Sequence, residues 1–333
     1  MYHATRILAR ADVAALLSLE ECIGAVEDAF RDYAEGRSFG SGVLGFPVPG
    51  GGFHIKAAGL AGEAPIFATK VNGNFFGNAP LGMPRIQGLI VLGDAKNGYP
   101  LAVMDSTYIT QVRTGAATGV AAKHLALKDA DSVTIAGCGV QGRIQLRAVC
   151  AVRPIARAWA YDVDPAVAEA FAREMSAELG RDVRAAGQLA TAARQSAIVV
   201  TCTPAREAIL QLGEVGPGTF IAAVGADSEE KQEIAPALLA ASAVVPDLLD
   251  QAAAFGDLHH ALKAGAMRRE EVRGELGAIV AGRAEGRRTE DEIVVFDSTG
   301  TALQDVAAAN LVYRRACRAG RGMALDLLSP PPC

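Results

Sequence analysis

The sequence lacks the features expected of a protein that binds nucleic acids or crosses a membrane. Its 32 Lys and Arg are outnumbered by 37 Asp and Glu, which gives a net charge of −5 at pH 7 and leaves no excess of positive charge for DNA or RNA. No apolar run approaches the roughly 20 residues of a transmembrane helix. The stretch "MYHATRILARADVAALL" has no continuous apolar segment before a cleavage site, which predicts no signal peptide and a cytoplasmic protein.

Cysteine and histidine are sparse as well. The six cysteines are scattered without a C-x-x-C pair, a pattern typical of a reducing compartment rather than of a disulfide framework or a zinc site. His259 and His260 are adjacent, but consecutive side chains point in different directions, so we do not expect them to share a metal ion. The sequence therefore predicts no metal centre.

Half of the 333 residues are apolar, and this length suits two domains of ordinary size or one large α/β unit. The first third begins with a helix whose start is marked by Ser18 and Glu21, which form a capping box. A glycine-rich connection, "GSGVLGFPVPGGG", follows, and then short strands at "FHIKAAG" and "IFATKVN". Two apolar runs around Asn97-Gly98 predict a hairpin, so this part is expected to be a helix with a largely antiparallel sheet.

From Asp131 onward, short apolar runs alternate with Ala-rich helical stretches. Alternating strands and helices are typical of a parallel sheet covered on both faces. A last helix, "TALQDVAAANLVYRRACRAG", is expected to be capped by Thr301 together with Gln304.

The turn "VTIAGCGVQGRIQ" has the arrangement of a dinucleotide-binding motif. Gly137, Gly139 and Gly142 directly follow a strand and open a helix, and this context is what gives a G-x-G-x-x-G pattern its meaning. The glycines permit a tight turn, a close approach to a pyrophosphate and close packing of helix on strand. Asp162 ends the next strand, where a carboxylate can bind both ribose hydroxyls and repel a 2′-phosphate, so NAD(H) is favoured over NADP(H).

Several polar residues stand where apolar ones are expected. Lys56 and Lys70 lie in apolar strands, and each either meets an anion or extends its amine to solvent at a strand end. Arg113 precedes the small-residue stretch "TGAATGVAA", where it either holds a carboxylate with two hydrogen bonds or is an exposed helix arginine. Asp227 ends the strand "TFIAAVGAD", where ligands of α/β sheets bind, although a turn or helix-cap aspartate is the alternative.

The same reasoning yields a set of residues predicted to contact the cofactor, which come from the glycine turn, from strand ends and from the position after Arg113: Thr114, Gly137, Gly139, Val140, Gln141, Gly142, Asp162, Thr201, Val224, Gly225, Thr299 and Gly300.

Taken together, "TKVNGN", "LAVMDSTYITQVRTGAATGVAAKHLA", "GCGVQG", "AVGADSEEKQEI" and "VFDSTGTALQDVA" resemble the ornithine cyclodeaminase/mu-crystallin family. The resemblance implies an α/β fold in which a Rossmann dinucleotide-binding domain, residues 118–300, is inserted into an α+β domain for substrate binding and dimerisation, residues 1–117 plus 301–333. It also implies a homodimer and a small L-amino or cyclic imino acid as substrate.

By the same resemblance, Lys70 and Arg113 hold the substrate carboxylate and Asp227 is the catalytic acid/base, with Lys70 also counted as catalytic. Mu-crystallin and ketimine reductase members lack that aspartate. Cyclodeaminases carry a further carboxylate-binding arginine before the first strands. The corresponding stretch here, "SFGSGVLGFPVPGGG", contains none, so Lys56 is expected to replace it. Cyclodeaminases tend to have "GGDCPGK" where this chain has "GADSEEK", and the tripeptide "GAD" is closer to alanine dehydrogenase members.

The expected activity is that of an NAD-dependent cyclodeaminase, a lyase that oxidises ornithine at Cα, closes the ring with loss of ammonia and returns the hydride to give proline. The alternatives are an oxidoreductase of amino acid metabolism, either a Δ1-pyrroline-2-carboxylate (ketimine) reductase or an alanine dehydrogenase, and a ligand-binding protein without catalysis, as in some members of the mu-crystallin type.

Overall fold

The computed structural model describes residues 4–327 of the 333-residue chain. These residues form two compact units. Unit 1 consists of the chain up to Arg113 together with the part from Thr301 onward, and unit 2 is Thr114–Gly300. The sequence places the first boundary after residue 117, whereas the division in the structure follows Arg113.

Unit 1 is built on a seven-stranded sheet with helices packed on one face. Elements are numbered along the chain. The strands are β1 (Thr5–Leu8), β2 (Ser38–Val48), β3 (Gly51–Leu60), β4 (Ile66–Phe75), β5 (Ile86–Asp94), β6 (Pro100–Asp105) and β14 (Met323–Leu325), and the helices are α1 (Arg10–Leu16), α2 (Leu19–Ala34), α3 (Ser106–Leu125, which continues into unit 2) and α11 (Ala302–Ala319). The strand order is β14-β1-β6-β5-β4-β3-β2, antiparallel except where β1 pairs with β6.

The two faces of this sheet differ because side chains alternate along each strand. On β4, residues 66, 68, 70 and 72 are buried, and α11 packs against the central strands. The opposite face carries exposed apolar side chains on four neighbouring strands: Phe39, Leu44, Phe46, Phe53, Phe67, Val71, Leu89 and Val91. We call these eight residues the outer apolar face.

Most of the elements predicted for unit 1 are confirmed, with two corrections. Ser18 accepts a hydrogen bond from the Glu21 backbone N at the start of α2, and the Asn97-Gly98 turn joins β5 to β6. The glycine-rich stretch predicted as a connection is instead strand β2. Pairing with β3 overrides the local glycine signal, and Gly59 provides room for the Phe39 ring, which would lie 2.2 Å from a Cβ there.

The second correction concerns the start of α11. Thr301 is the residue before the helix, but its side chain makes no capping hydrogen bond, and Gln304 accepts a hydrogen bond from Arg113 instead. A tertiary contact has therefore replaced the local cap.

Unit 2 is a parallel sheet with helices between its strands, so the predicted fold class is confirmed. The strands are β7 (Ser132–Ala136), β8 (Arg157–Tyr161), β9 (Asp182–Ala185), β10 (Ile198–Thr201), β11 (Phe220–Ala223), β12 (Ala243–Pro246) and β13 (Val294–Asp297), and the helices are α4 (Val140–Val152), α5 (Pro165–Leu179), α6 (Leu189–Ala193), α7 (Pro236–Ala240), α8 (Leu249–Phe255), α9 (Asp257–Lys263) and α10 (Leu276–Val280). The strand order is β12-β13-β11-β10-β7-β8-β9. The chain adds β8 and β9 on one side of β7 and then returns to add β10 on its other side, so the strand order reverses between β7 and β10.

Strands β7, β10, β11, β12 and β13 are buried along their whole length, as expected for a sheet covered on both faces. Within residues 4–327, no helix has the length and apolar character needed to cross a bilayer.

Candidate functional site

The glycine turn of unit 2 has the geometry that a dinucleotide phosphate requires. Gly137 has φ +101°, and a Cβ there would lie 2.9 Å from the Cys202 carbonyl oxygen. A Cβ at Gly142 would lie 2.2 Å from the Gly137 carbonyl oxygen. These two positions accept no side chain, so the turn can be this tight only with glycine.

Gly139 has a different role. It precedes α4, it makes no side-chain cap, and a Cβ there would have no atom within 4 Å. The first N–H groups of α4 thus have no side-chain cap, and they can donate to an anion at the positive end of the helix dipole. Val140 and Gln141 form the first turn beside them, so the residues present fit a pyrophosphate.

Asp162 is held beside this turn. It follows β8, and its Oδ2 accepts a hydrogen bond of 2.9 Å from the backbone N of Cys138, which lies between the first two glycines. Its Oδ1 accepts one from Asp164 N at 3.2 Å. The carboxylate is thus tied to the turn and, being only half-buried, has lone pairs left for ribose hydroxyls.

Four of the residues predicted from strand ends are held by two buried carboxylates that sequence reasoning missed. Thr201 Oγ1 and the Gly225 backbone N donate to Glu233 at 2.8 and 2.7 Å. Thr299 Oγ1 and the Gly300 backbone N both donate to Asp247 at 2.7 Å. The signal for these acids was their place beside apolar runs, in "KQEIAP" and "VVPDLL".

Asp227 lies in the loop between β11 and α7, two residues after Gly225. Its side chain is 48% exposed and forms an ion pair with Lys231, so it is neither buried nor a helix cap. Val224 N bonds to the Thr201 carbonyl oxygen at 2.8 Å, which ties this loop to the end of β10. Thr114 is buried in α3, at the first position of unit 2.

In unit 1, the predicted cations gather around one carboxylate. Lys70 points to the helix-covered face of β4, and its Nζ lies 2.8 and 2.7 Å from the two oxygens of Asp305 in the first turn of α11. Arg113 Nε lies 3.0 Å from Asp305 Oδ1, and all three side chains are buried. Lys70 therefore meets an anion and does not extend to solvent. Arg113 is buried and is not an exposed helix residue.

Two more residues complete this cluster. Lys56 of β3 stands directly opposite Lys70 in the sheet register. Gln304 accepts a 2.8 Å hydrogen bond from Arg113 Nη1, while its Nε2 has no hydrogen-bond acceptor among residues 4–327. We call Lys56, Lys70, Arg113, Gln304 and Asp305 the cation cluster.

The charges of the cluster shift one another. Burial, with repulsion from Arg113 and Lys56, lowers the pKa of Lys70 to about 7 against the attraction of Asp305. Burial acts to raise the pKa of Asp305, but the charges of Lys70 and Arg113 outweigh it and hold that pKa below its ordinary value. Three cations face one carboxylate, so the cluster has positive charge in excess and can bind a small anion.

Sequence reasoning found the cations but missed Asp305 and Gln304. The available signal was an acid and an amide in the first turn of a helix that otherwise reads "TALQDVAAAN". Among the described residues, no group of three or more His, Cys, Asp or Glu is placed to hold a metal ion.

This chain is similar to several known proteins over nearly its whole length. An alanine dehydrogenase from Archaeoglobus fulgidus is 38% identical over 312 residues, 94% of this chain and 95% of that protein. Among solved structures, an archaeal alanine dehydrogenase dimer with bound NAD superposes with a TM-score of 0.93 at 36% identity, covering 98% of this chain and 100% of that one.

A second solved structure is the Δ1-pyrroline-2-carboxylate reductase of Thermococcus litoralis in complex with NADH and L-proline. It has a TM-score of 0.91 at 35% identity, with coverage of 96% and 100%. The model of the ornithine cyclodeaminase/mu-crystallin family matches residues 3–320. The predicted resemblance is confirmed: this chain belongs to the ornithine cyclodeaminase/mu-crystallin family.

Proposed function

We propose that this protein is an NAD(H)-dependent enzyme that oxidises a small L-α-amino acid at Cα, or reduces the corresponding imino acid. The observation that carries the proposal is the cation cluster, in which buried Lys70 and Arg113 have more positive charge than Asp305 neutralises. Such a cluster suits a substrate carboxylate. It occurs in a chain whose other unit has a turn that fits a dinucleotide.

Unit 2 binds the cofactor. The backbone from Gly139 to Gly142 receives the pyrophosphate, and Asp162 accepts hydrogen bonds from the ribose. When bound, NAD⁺ supplies a hydride acceptor at C4 of the nicotinamide ring. The NAD and NADH in the two similar solved structures support this assignment.

Replacing Asp162 tests the cofactor choice. In Asp162→Ala, we expect the Kd of NADH to rise about tenfold or more, because a charged hydrogen-bond acceptor is lost. The Kd of NADPH should rise less, because the repulsion of its 2′-phosphate is lost as well. Fluorescence titration with each cofactor gives the two Kd values and the ratio between them.

The control for this variant is Asp164→Ala. Asp164 caps α5 by accepting a hydrogen bond from Ala166 N, so its loss should reduce stability by about 1 kcal/mol and leave the NADH/NADPH ratio unchanged. Equal losses of NADH and NADPH affinity in Asp162→Ala would contradict the predicted preference for NAD(H).

Unit 1 binds the substrate. Lys70 and Arg113 hold the carboxylate, Lys56 lies opposite Lys70 in the sheet, and the free donor of Gln304 is available to the same anion. As the hydride leaves Cα, Asp227 takes the proton from the substrate nitrogen, which leaves an imino acid, and water then replaces ammonia to give a keto acid. Holding the carboxylate also fixes the Cα, and such positioning contributes much of the rate of an enzyme.

The pKa of Lys70 predicts how substrate affinity depends on pH. With a pKa of about 7, the amine is charged below that pH and neutral above it, so its attraction for a carboxylate declines as pH rises. We expect KM for the amino acid to rise between about pH 6 and about pH 8, and the rise to disappear in Lys70→Met. Initial rates at a saturating cofactor concentration provide the measurement.

Lys96→Met is the matched control for that variant. Lys96 is an exposed lysine of unit 1 that donates to the Glu63 carbonyl oxygen, so the pH profile should keep its shape. A Lys70→Met protein whose KM rises with pH as it does in the wild type would show that another group titrates.

Among the activities of this family, alanine dehydrogenase-type chemistry is our first candidate. The sequence has Asp227 in a "GAD" tripeptide and lacks the additional arginine of cyclodeaminases, and 38% identity to an alanine dehydrogenase supports the same choice. Cyclodeamination of ornithine to proline is the second candidate, because Asp227 also suits it. Imine reduction is the third, supported by the similar reductase that binds L-proline.

One assay separates these activities. The purified protein is given L-alanine or L-ornithine with NAD⁺, and pyrroline-2-carboxylate or pyruvate plus ammonia with NADH, while absorbance at the NADH band and ammonia are followed together. A dehydrogenase changes both signals, a cyclodeaminase releases ammonia without net NADH, and a reductase consumes NADH without added ammonia. If every substrate is inert while NADH still binds, the protein is a ligand-binding member instead.

We also propose that the protein is a homodimer joined through the outer apolar face. A contiguous set of exposed apolar side chains on a sheet is typical of an interface, and the similar archaeal structure is a dimer. The mass in solution, measured by light scattering on the wild type and on Phe67→Glu, tests this directly.

A further inference from the structure

The strongest unassigned feature is the environment of Glu233 in unit 2. This side chain is fully buried, and its carboxylate accepts four hydrogen bonds. Oε1 accepts from the backbone N and the Oγ1 of Thr203, at 2.6 and 2.7 Å. Oε2 accepts from Thr201 Oγ1 at 2.8 Å and from the Gly225 backbone N at 2.7 Å.

These contacts join the carboxyl ends of two neighbouring strands in the sheet. Thr203 follows β10 and Gly225 follows β11, and the two strands pair in parallel. A Cβ at Gly225 would lie 2.3 Å from the Thr203 carbonyl oxygen and 2.5 Å from Glu233 Cδ. The backbone at Gly225 therefore packs directly on the carboxyl group and on the neighbouring strand end.

The sheet order indicates which part of a dinucleotide meets these strand ends. Such folds bind a dinucleotide across the point where the strand order reverses, which here lies between β7 and β10. Asp162 follows β8 on one side of that point, so the adenosine half belongs there. The nicotinamide half is then expected over the ends of β10 and β11, where Glu233 holds the backbone.

The backbone of Glu233 is also fixed by hydrogen bonds. Its backbone N and that of Ile234 donate to Asp257 Oδ1 at 2.7 and 2.8 Å, and Asp257 is fully buried. The carboxylate therefore has a fixed backbone and four fixed donors, which is the arrangement of a rigid support and not of a mobile surface acid.

We propose that Glu233 is a positioning residue, which fixes the Thr203 and Gly225 amides at the ends of β10 and β11 so that the nicotinamide half of the cofactor meets a preformed surface. The inference rests on the proposed binding of NAD(H). It concerns the pose of one half of the cofactor, and it leaves the pyrophosphate to the glycine turn.

The amide isostere Glu233→Gln exposes this role because each carboxylate oxygen accepts one backbone N–H and one hydroxyl. A hydroxyl can turn to accept from the new NH₂ group, but a backbone N–H cannot. Whichever way the glutamine lies, either Thr203 N or Gly225 N faces a donor. One strand end must therefore move away.

The test compares NADH with ADP-ribose, which has the pyrophosphate but no nicotinamide, by titration of the full chain. We expect the Kd of NADH to rise about tenfold in Glu233→Gln and that of ADP-ribose to change by less than about twofold. In the cofactor-free protein, the amide that loses its acceptor, Thr203 or Gly225, should exchange hydrogen faster than in the wild type. Glu233→Asp keeps the charge but withdraws the carboxylate, and it should also weaken the binding of NADH more than that of ADP-ribose. This variant replaces Glu233→Gln in the test if the glutamine protein does not fold.

The control is Thr134→Val, which removes another buried hydrogen bond of the same sheet, the 2.7 Å contact between Thr134 and Ser196. It should lower the thermal midpoint and leave both affinities unchanged. An unchanged NADH affinity in Glu233→Gln, or equal losses for NADH and ADP-ribose, would overturn the positioning role. A wild-type chain that binds neither compound would instead refute the proposed cofactor, and this inference with it.

Discussion

Asp227→Asn is expected to lower kcat by a factor of about 10² to 10⁴, the usual contribution of a general acid/base. The amide is nearly isosteric with the carboxylate but cannot take a proton from the substrate nitrogen. Asp227 is half-exposed and ion-paired with Lys231, so its replacement should not disturb the core. NADH affinity should stay within about twofold of the wild type, as measured by fluorescence titration beside the steady-state rates.

Glu230→Gln is the matched control for this variant, because Glu230 is an exposed carboxylate in the same loop and pairs with Arg206. It should keep the wild-type kcat. If Asp227→Asn keeps its kcat as well, the proton transfer belongs to another group, and the proposed role of Asp227 is wrong.

Asp305→Asn is expected to lower the free energy of unfolding by about 3 to 5 kcal/mol, the usual cost of removing one partner of a buried ion pair. Asp305 is buried between Lys70 and Arg113. Lys70 can relieve the remaining repulsion by releasing its proton, because its pKa is already lowered to about 7. Arg113 cannot release a proton at any ordinary pH, so its charge stays buried without a counter-ion.

Equilibrium unfolding in urea measures this loss, and Asp12→Asn is the matched control in the same unit. Asp12 pairs with Arg321 near the surface, where an ion pair contributes only about 0 to 1 kcal/mol. An Asp305→Asn protein as stable as Asp12→Asn would mean that the cations of the cluster do not depend on Asp305.

The individual motifs of this protein could be predicted because their physics is local. The glycine turn needs only a strand, three glycines and a helix start within a short stretch, so its function is visible in the residue types themselves. The same holds for the Ser18 cap of α2, which accepts from the Glu21 backbone N, and for the hairpin turn at Asn97-Gly98. In each case, the residues that interact are close neighbours in the sequence.

The partners of charged residues could not be predicted in this way. Lys70 and Asp305 are 235 positions apart, and the pattern of the sequence contains no information about which strand faces which helix. Sequence reasoning therefore left open whether Lys70 meets an anion or solvent. For the same reason the sequence predicts a connection at "GSGVLGFPVPGGG", although most of that stretch lies in strand β2. The pairing of β2 with β3 depends on a tertiary contact that the local glycine pattern does not reveal.

The sequence by itself determined the parallel sheet of unit 2, the dinucleotide turn and the family, since these follow from periodicity and from short motifs whose members are adjacent. Only the tertiary structure decided that Asp305 gathers Lys70 and Arg113, that Glu233 and Asp247 hold the strand ends, and that Thr301 leaves its helix uncapped. The reason is that burial changes the energy of a charge far more than its sequence neighbours do, so each buried ion takes the partner that folding brings to it.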